Sequence, residues 1–203
     1  MSEHRTDEKT ISFYNTHAKD FAQSTAYVDF HEVQDQFLTY MPQGAKILDF
    51  GCGAGRDAKY FAEKGMDVTA VDGSKELCRM ARELSGVPVR QMYFEDLSDV
   101  EVYDGIWACS SILHLRKAEL GEVFEKMILA VKPGGYIYTS FKYGDFEGYR
   151  NDRYFTDFTE ESFCSFIAQL TGVAPVEQWI SADVRPGRQY KKWLNAILKI
   201  TRR

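Results

Sequence analysis

The chain has no apolar run near the roughly 20 residues needed to cross a bilayer, so no membrane span is expected. Its first nine residues are polar and lack the apolar stretch of a secretory leader, so none is expected. Cysteine is scarce: Cys52, Cys78, Cys109 and Cys164 lie far apart and form no C-x-x-C pair. That spacing offers no metal-ligand cluster, so no metal is expected, and it fits a reducing cytoplasm. Acidic residues are missing from the tail. Between Arg185 and Arg203 there are seven basic residues and no acidic one, in a chain of net charge −5. The rest then carries 18 basic against 30 acidic residues, a net of −12. So acidic a body argues against nonspecific nucleic-acid binding. The basic tail suits either an anionic substrate or plain solvation. Repeats and low-complexity tracts are absent. The 203 residues, 44% hydrophobic and 27% charged, are ordinary for one globular domain with a sizeable core.

What the chain does have is Ile47-Leu48-Asp49-Phe50-Gly51-Cys52-Gly53-Ala54-Gly55-Arg56-Asp57. An apolar run stops at an acid, three glycines alternate with other residues, and a helical pattern follows. This reads as strand, tight turn and helix N-terminus. Glycines let a ligand lie directly on the main chain. The unpaired amides opening the helix suit a phosphate or carboxylate. The dinucleotide fingerprint G-x-G-x-x-G needs a third glycine where Arg56 stands, which disfavours a nicotinamide enzyme. Alone, the turn is equally an ordinary strand-to-helix connection. A second apolar run, Met66 to Val71, ends at Asp72, 17 residues beyond Gly55. In a doubly wound sheet this sets the Asp72 carboxylate at the end of the neighbouring strand, where it can accept both hydroxyls of a ribose. The bland reading is a helix cap, which Ser74 can supply by itself.

The Asp-x-Gly-x-Gly-x-Gly pattern resembles the nucleotide-binding motif of class I S-adenosylmethionine-dependent methyltransferases. The resemblance implies a turn of Asp49, Gly51, Cys52 and Gly53 against the methionine part of the cofactor. Arg56 would offer its guanidinium to the methionine carboxylate. Asp72, with Gly73 and Ser74, would hold the ribose. Adenine would meet the Phe94 backbone and the Glu95 carboxylate, although the acid often seen at the position of Tyr93 is absent. The run Tyr103 to Ser111 is similar to the family's post-strand motif and would bring Cys109 and Ser110 beside the methionine chain. Lys132-Pro133-Gly134-Gly135 before a strand is another shared feature. Tyr14, Ala18 and Phe21 match the pattern of the family's N-terminal arm, which would set Tyr14 near the cofactor. They also fit an aromatic core stripe. The resemblance covers roughly residues 11–141. Asp183 to Arg188 with Trp193-Leu194-Asn195 further resembles a group of small bacterial methyltransferases. The Gly-Cys-Gly-x-Gly-Arg-Asp form is more loosely similar to the tellurite and thiopurine branch.

The expected fold is α/β: a Rossmann-like, doubly wound, seven-stranded sheet, mostly parallel, with a C-terminal antiparallel hairpin and helices on both faces. One domain is expected over 1–203. Its parts are a two-helix arm (1–41, frayed to residue 9), a cofactor core (42–141) and a substrate region (142–203). In that last part Gly144 to Asp157 reads as a substrate loop or lid. Methyl transfer needs alignment in a dry pocket more than a nucleophile, and a base only if the acceptor enters protonated. His114 is the candidate catalytic residue, or else a structural histidine. Lys142, Arg185 and Arg188 are the candidate acceptor ligands, the two arginines forming a fork for a carboxylate or phosphate. The expected function is methyl transfer from S-adenosylmethionine, leaving S-adenosylhomocysteine, to a small polar or anionic acceptor. The alternatives are an RNA (tRNA)-modifying methyltransferase and a noncatalytic cofactor-binding protein on the same fold.

Overall fold

The computed structural model describes residues 7–202. The arm has three helices where two were expected: α1 (Glu8–Thr16), α2 (Ala18–Thr25) and α3 (His31–Leu38). The first two part at His17, whose φ of −106° and ψ of 20° leave the helical range. Asp7 caps α1, its carboxylate accepting from the Thr10 amide at 2.9 Å. The expected fraying therefore does not reach residues 7–9, and residues 1–6 lie outside the described part.

Strand β1 (Lys46–Phe50) runs into α4 (Arg56–Glu63), β2 (Asp67–Asp72) into α5 (Lys75–Ser85), and β3 (Val89–Gln91) into a 3-10 turn at Phe94–Asp96. β4 (Tyr103–Ala108) leads through a second 3-10 turn, Ile112–His114, to α6 (Lys117–Ala130) and β5 (Val131–Lys142). The fourth strand is thus shorter than the run Tyr103 to Ser111. Lys132 to Gly135 is no stop before β5 but an irregularity within it: Val131 pairs with Tyr103, and pairing resumes at Tyr136 opposite Gly105. The expected loop 144–157 is mostly a hairpin, β6 (Glu147–Arg150) and β7 (Arg153–Thr156), turned by Asn151 and Asp152 at φ of 48° and 62°. Then come α7 (Glu160–Ile167), β8 (Val173–Ala182) and β9 (Lys192–Ile200).

The sheet is the expected one: seven strands in the order β3-β2-β1-β4-β5-β9-β8, with β9 antiparallel to both its neighbours. Side chains alternate between its faces with the strand period of two. Ile47, Trp107, Tyr138 and Ile197 pack against Phe37 of α3, Phe61 of α4 and Ala81 of α5. Leu48, Ile106, Ile137 and Leu198 pack against Phe124 of α6 and Phe163 of α7. Both faces are covered, which explains why the central strands read as continuous apolar runs. Because β9 runs backwards, its first residues share an edge with the last residues of β1, β2, β4 and β5. Ligands of open α/β sheets bind at that edge.

Candidate active site

Asp49 and the glycine turn close the end of β1. Gly51 has φ +90°, and a Cβ there would come within 2.3 Å of the Ser111 Cβ. Gly55 caps α4 at φ +92°, where a Cβ would stand 2.9 Å from the Ala81 Cα. Both positions need glycine for conformation and for close approach. The turn is tied to the next strand through Asp72, whose two carboxylate oxygens accept from the Gly53 amide at 2.9 Å and the Ser74 amide at 2.8 Å. Burial pushes the Asp72 carboxyl up to about 6, against the pull of those two amides. Ser74 is fully buried and caps α5 on the Leu77 amide.

One cavity of about 340 Å³ opens over these turns, within the range of small-molecule sites. Gly51, Cys52, Gly53, Arg56, Asp72 and Gly73 line one part of it. Tyr14, Phe94, Cys109, Ser110 and His114 line the middle. Lys142, Arg185 and Arg188 line the far part. Of the expected site residues, Asp49, Ser74 and Glu95 are absent from its walls. Asp49 lies 2% exposed behind the turn, one carboxyl oxygen buried without a partner. Its burial, with the carboxylates of Asp57 and Asp72 nearby, holds it well above the usual carboxylate range.

Arg56 does not stand free for a ligand carboxylate. Its Nε and Nη2 donate to both oxygens of Asp57 at 2.7 and 3.0 Å, and its Cζ lies 4.6 Å from the Phe30 ring centroid. Asp57 also accepts from Trp107 Nε1 at 2.8 Å and Gln34 Nε2 at 2.7 Å. Three elements thus fix one guanidinium at the start of α4.

His114 is 7% exposed, and its ring reaches the cavity. The Tyr154 carbonyl can only accept, so the 2.6 Å contact puts the ring proton on Nδ1. Nε2 then accepts from the Tyr14 hydroxyl at 2.8 Å. Burial lowers the imidazole to about 4, which keeps it neutral at pH 7. Burial also raises the Tyr14 phenol, against the nearby Arg153. With Nε2 engaged and so low a basicity, His114 orients Tyr14 better than it serves as a base.

At the far part, the expected arginine fork is corrected. Arg185 donates through Nε and Nη2 to both oxygens of buried Asp183, at 2.8 and 2.5 Å. Its charge is met within the chain. Arg188 is exposed at the mouth. Lys142, at the end of β5, pairs in register with Trp193 of β9, and its Nζ lies 5.0 Å over that ring. Burial lowers the ammonium to about 8, with Lys191, Arg150 and Arg185 adding to the shift against Asp157.

Comparison with known proteins agrees with this geometry. Residues 47–135 match the family described as a methyltransferase domain. A malonyl-[acyl-carrier protein] O-methyltransferase of Salmonella typhimurium is 30% identical over 109 residues, 51% of this chain and 42% of that protein. Among solved structures, the 1,6-didemethyltoxoflavin-N1-methyltransferase of Burkholderia thailandensis, bound to 1,6-didemethyltoxoflavin and S-adenosylhomocysteine, is similar with a TM-score of 0.76. It is 21% identical, and the match covers 96% of this chain and 87% of that one. The N-methyltransferase NodS from Bradyrhizobium japonicum, in complex with S-adenosylhomocysteine, matches with a TM-score of 0.74 at 16% identity, over 97% of this chain and 100% of that one. Residues 47–135 thus match a methyltransferase domain, and the chain as a whole shares the fold of these S-adenosylhomocysteine-bound structures. It spans about half the length of the curated relatives it matches.

Gly51, Cys52, Gly53, Arg56, Asp72 and Gly73 of the motifs after β1 and β2 meet at the cavity, while several wall residues carried no motif. Arg150, Arg153, Lys191 and Trp193 also line the cavity. Asp57 was read only as the end of a motif, yet it organises Arg56. Asp183 stands two residues before Arg185, a spacing that signals a local ion pair. Among the described residues no helix is long and apolar enough to cross a membrane.

Proposed function

We propose that the protein transfers the methyl group of S-adenosylmethionine to a small polar acceptor bound in the same cavity. The observation that carries this reading is the single cavity itself. It joins a wall of glycine backbone and an Asp72 carboxylate to a wall of cationic and aromatic side chains. The donor set fits the cofactor. Asp72 is an acceptor that reaches the cavity already oriented by two amides, and it would hold the ribose hydroxyls. The turn from Gly51 to Gly53 would lie along the methionine part, Arg56 near its carboxylate, Phe94 by the adenine, and Cys109 and Ser110 beside the chain. When bound, the cofactor supplies an electrophilic methyl on sulfonium sulfur, open to in-line displacement.

The chain's own contribution is alignment and exclusion of water. Tyr14 spends its hydroxyl proton on His114, which leaves its oxygen as an acceptor at the cavity, with Arg153 Nη1 at 3.4 Å. His114 is thus a positioning residue. The acidic body speaks for a metabolite over RNA, since phosphate backbones need broad cationic surface.

The test is calorimetry with S-adenosylhomocysteine, followed by transfer of labelled methyl from S-adenosylmethionine to small acids, amines and phenols, with bulk tRNA in parallel. Affinity in the micromolar range is expected, lowered a hundredfold or more in Asp72→Ala. That variant loses charge-assisted hydrogen bonds of about 1.5–3 kcal/mol each. Unchanged affinity in the variant would sink the ribose assignment. Methylation of tRNA alone would sink the small-acceptor reading, and tight binding without turnover on any acceptor would favour a noncatalytic protein.

A further inference from the structure

Of the seven Lys and Arg side chains that line the cavity, Arg188 is exposed and Lys191 lies over the exposed Tyr190 ring; the other five fall into two sets. Arg56, Arg150 and Arg185 are each gripped by one carboxylate, of Asp57, Asp157 and Asp183, through two hydrogen bonds apiece. Lys142 and Arg153 have no ion-pair partner among the described residues; they lie over rings, and Arg153 also reaches one hydroxyl. They come from separate elements, Lys142 from the end of β5 and Arg153 from the start of β7. Phe155 brings them together. Its ring centroid is 5.3 Å from the Lys142 Nζ and 5.3 Å from the Arg153 Cζ, and Phe155 itself is only 4% exposed.

Charge withdrawn from water without a counter-charge is costly, and aromatic faces return only part of that cost. For three arginines of this cavity the chain provides a carboxylate. No carboxylate bonds to Lys142 or Arg153: Asp157 acts on Lys142 only from a distance while it is held by Arg150, and the Nε of Arg153 is buried with no hydrogen-bond partner. The Arg153 Nη1 reaches the Tyr14 hydroxyl at 3.4 Å, a long contact with a neutral group. Both cations line the cavity beside the Tyr14–His114 pair. The counter-charge is therefore missing at the place where the proposed acceptor would lie.

We propose that Lys142 and Arg153 are the anion-recognition pair of the acceptor site, and that the acceptor is a small organic acid whose carboxylate or phosphate supplies the missing charge. This rests on the methyltransferase reading, and it moves recognition from the arginine fork of the tail to residues on β5 and β7. Arg185 is set aside because buried Asp183 already meets its charge through two hydrogen bonds. A neutral acceptor would leave two desolvated cations uncompensated, and a cationic one would add to them.

Calorimetry on the full chain saturated with S-adenosylhomocysteine tests the pair with four probes: benzoate against benzamide, and phenyl phosphate against phenol. At least one acid is expected to bind tenfold or more tightly than its neutral counterpart, and which one does so distinguishes carboxylate from phosphate. Lys142→Gln and Arg153→Gln should each cut that preference at least fivefold, with Lys142→Arg retaining it. Lys142→Gln should leave S-adenosylhomocysteine affinity within twofold, which shows that the fold survives even if Arg153→Gln unfolds. Equal binding of acids and neutral probes, binding of neither, or a preference unchanged in Lys142→Gln would overturn the proposal. If S-adenosylhomocysteine itself fails to bind, the methyltransferase reading falls. The same titrations without it then still decide whether these two residues select an anion.

Discussion

Where β1 and β2 end, the cavity wall is main chain: glycines at positive φ, helix-opening amides and one carboxylate held by two of those amides. Where β5 and β9 meet, it is long side chains, Lys142, Lys191, Arg185 and Trp193, with Arg150 and Arg153 folded in from a separate hairpin. A main-chain wall admits few substitutions, because almost any Cβ collides. A side-chain wall can change charge and reach one residue at a time without moving the sheet. That difference suits the proposed division into a cofactor end and an acceptor end.

The largest expected effect comes from breaking the main-chain wall. Gly51→Ala puts a Cβ 2.3 Å from the Ser111 Cβ at a backbone angle that side chains rarely adopt. Strain and overpacking together should cost roughly 2–6 kcal/mol. Thermal unfolding should fall by about 5–20 °C, with loss of S-adenosylhomocysteine binding. A variant with unchanged melting and affinity would show that the turn yields more easily than its packing indicates.

Next is the ion pair of the side-chain wall. Arg185→Ala leaves Asp183, 3% exposed, as a buried carboxylate without its guanidinium. The expected loss is about 3 kcal/mol, and it should largely vanish in the double variant Asp183→Asn/Arg185→Ala. Such a rescue would identify Arg185 as structural. Loss of acid binding in both variants at equal stability would return it to the acceptor site.

His114 stands between the two walls and ties them to pH. Its folded value of about 4 lies below the ordinary 6.5, so between those values the unfolded chain binds more protons than the folded one. Stability from the neutral ring is full above pH 6.5 and is lost as pH falls, by about 2 kcal/mol between pH 6.5 and 5. Asp72, raised to about 6, works the other way, adding stability as pH falls through 6. Denaturation of the native chain and His114→Gln at both pH values separates the two. The variant should lose the acid-sensitive part, and equal slopes would remove the buried neutral histidine from the account.

The two walls also differ in how readily their residues are read from the chain. The main-chain wall follows from short contiguous motifs, since an apolar run, an acid and glycines act through local geometry. The side-chain wall depends on contacts between distant segments. Arg153 reaches the cavity only because Asn151 and Asp152 turn a hairpin inside what read as a loop. That Asn-Asp pair at left-handed φ was the available signal. Nothing in sequence tells that Lys142 stays unpaired while Arg185 is neutralised; that follows from which carboxylates fold beside them. His114 was found as a residue, but its tautomer depends on the Tyr154 carbonyl, forty positions away.

The smallest effect expected is at Arg188, and it sharpens the contrast within the side-chain wall. Arg188 lies at the cavity mouth, exposed, in the turn before β9. A guanidinium in water gains little from a ligand charge, because solvent and salt screen it. Arg188→Ala should therefore change stability by less than about 0.5 kcal/mol. S-adenosylhomocysteine affinity should stay the same, and acid-probe binding should weaken by no more than about twofold at 150 mM salt. At low salt the loss should grow, and it should appear in the association rate, as expected of a steering charge. Lys142→Gln should instead raise the dissociation rate and be less sensitive to salt, because its charge is half-buried against Trp193 and Phe155. Stopped-flow binding of benzoate at two salt concentrations separates the roles. If Arg188→Ala raises dissociation as much as Lys142→Gln does, the mouth of the cavity closes over the acceptor and the two cations form one site.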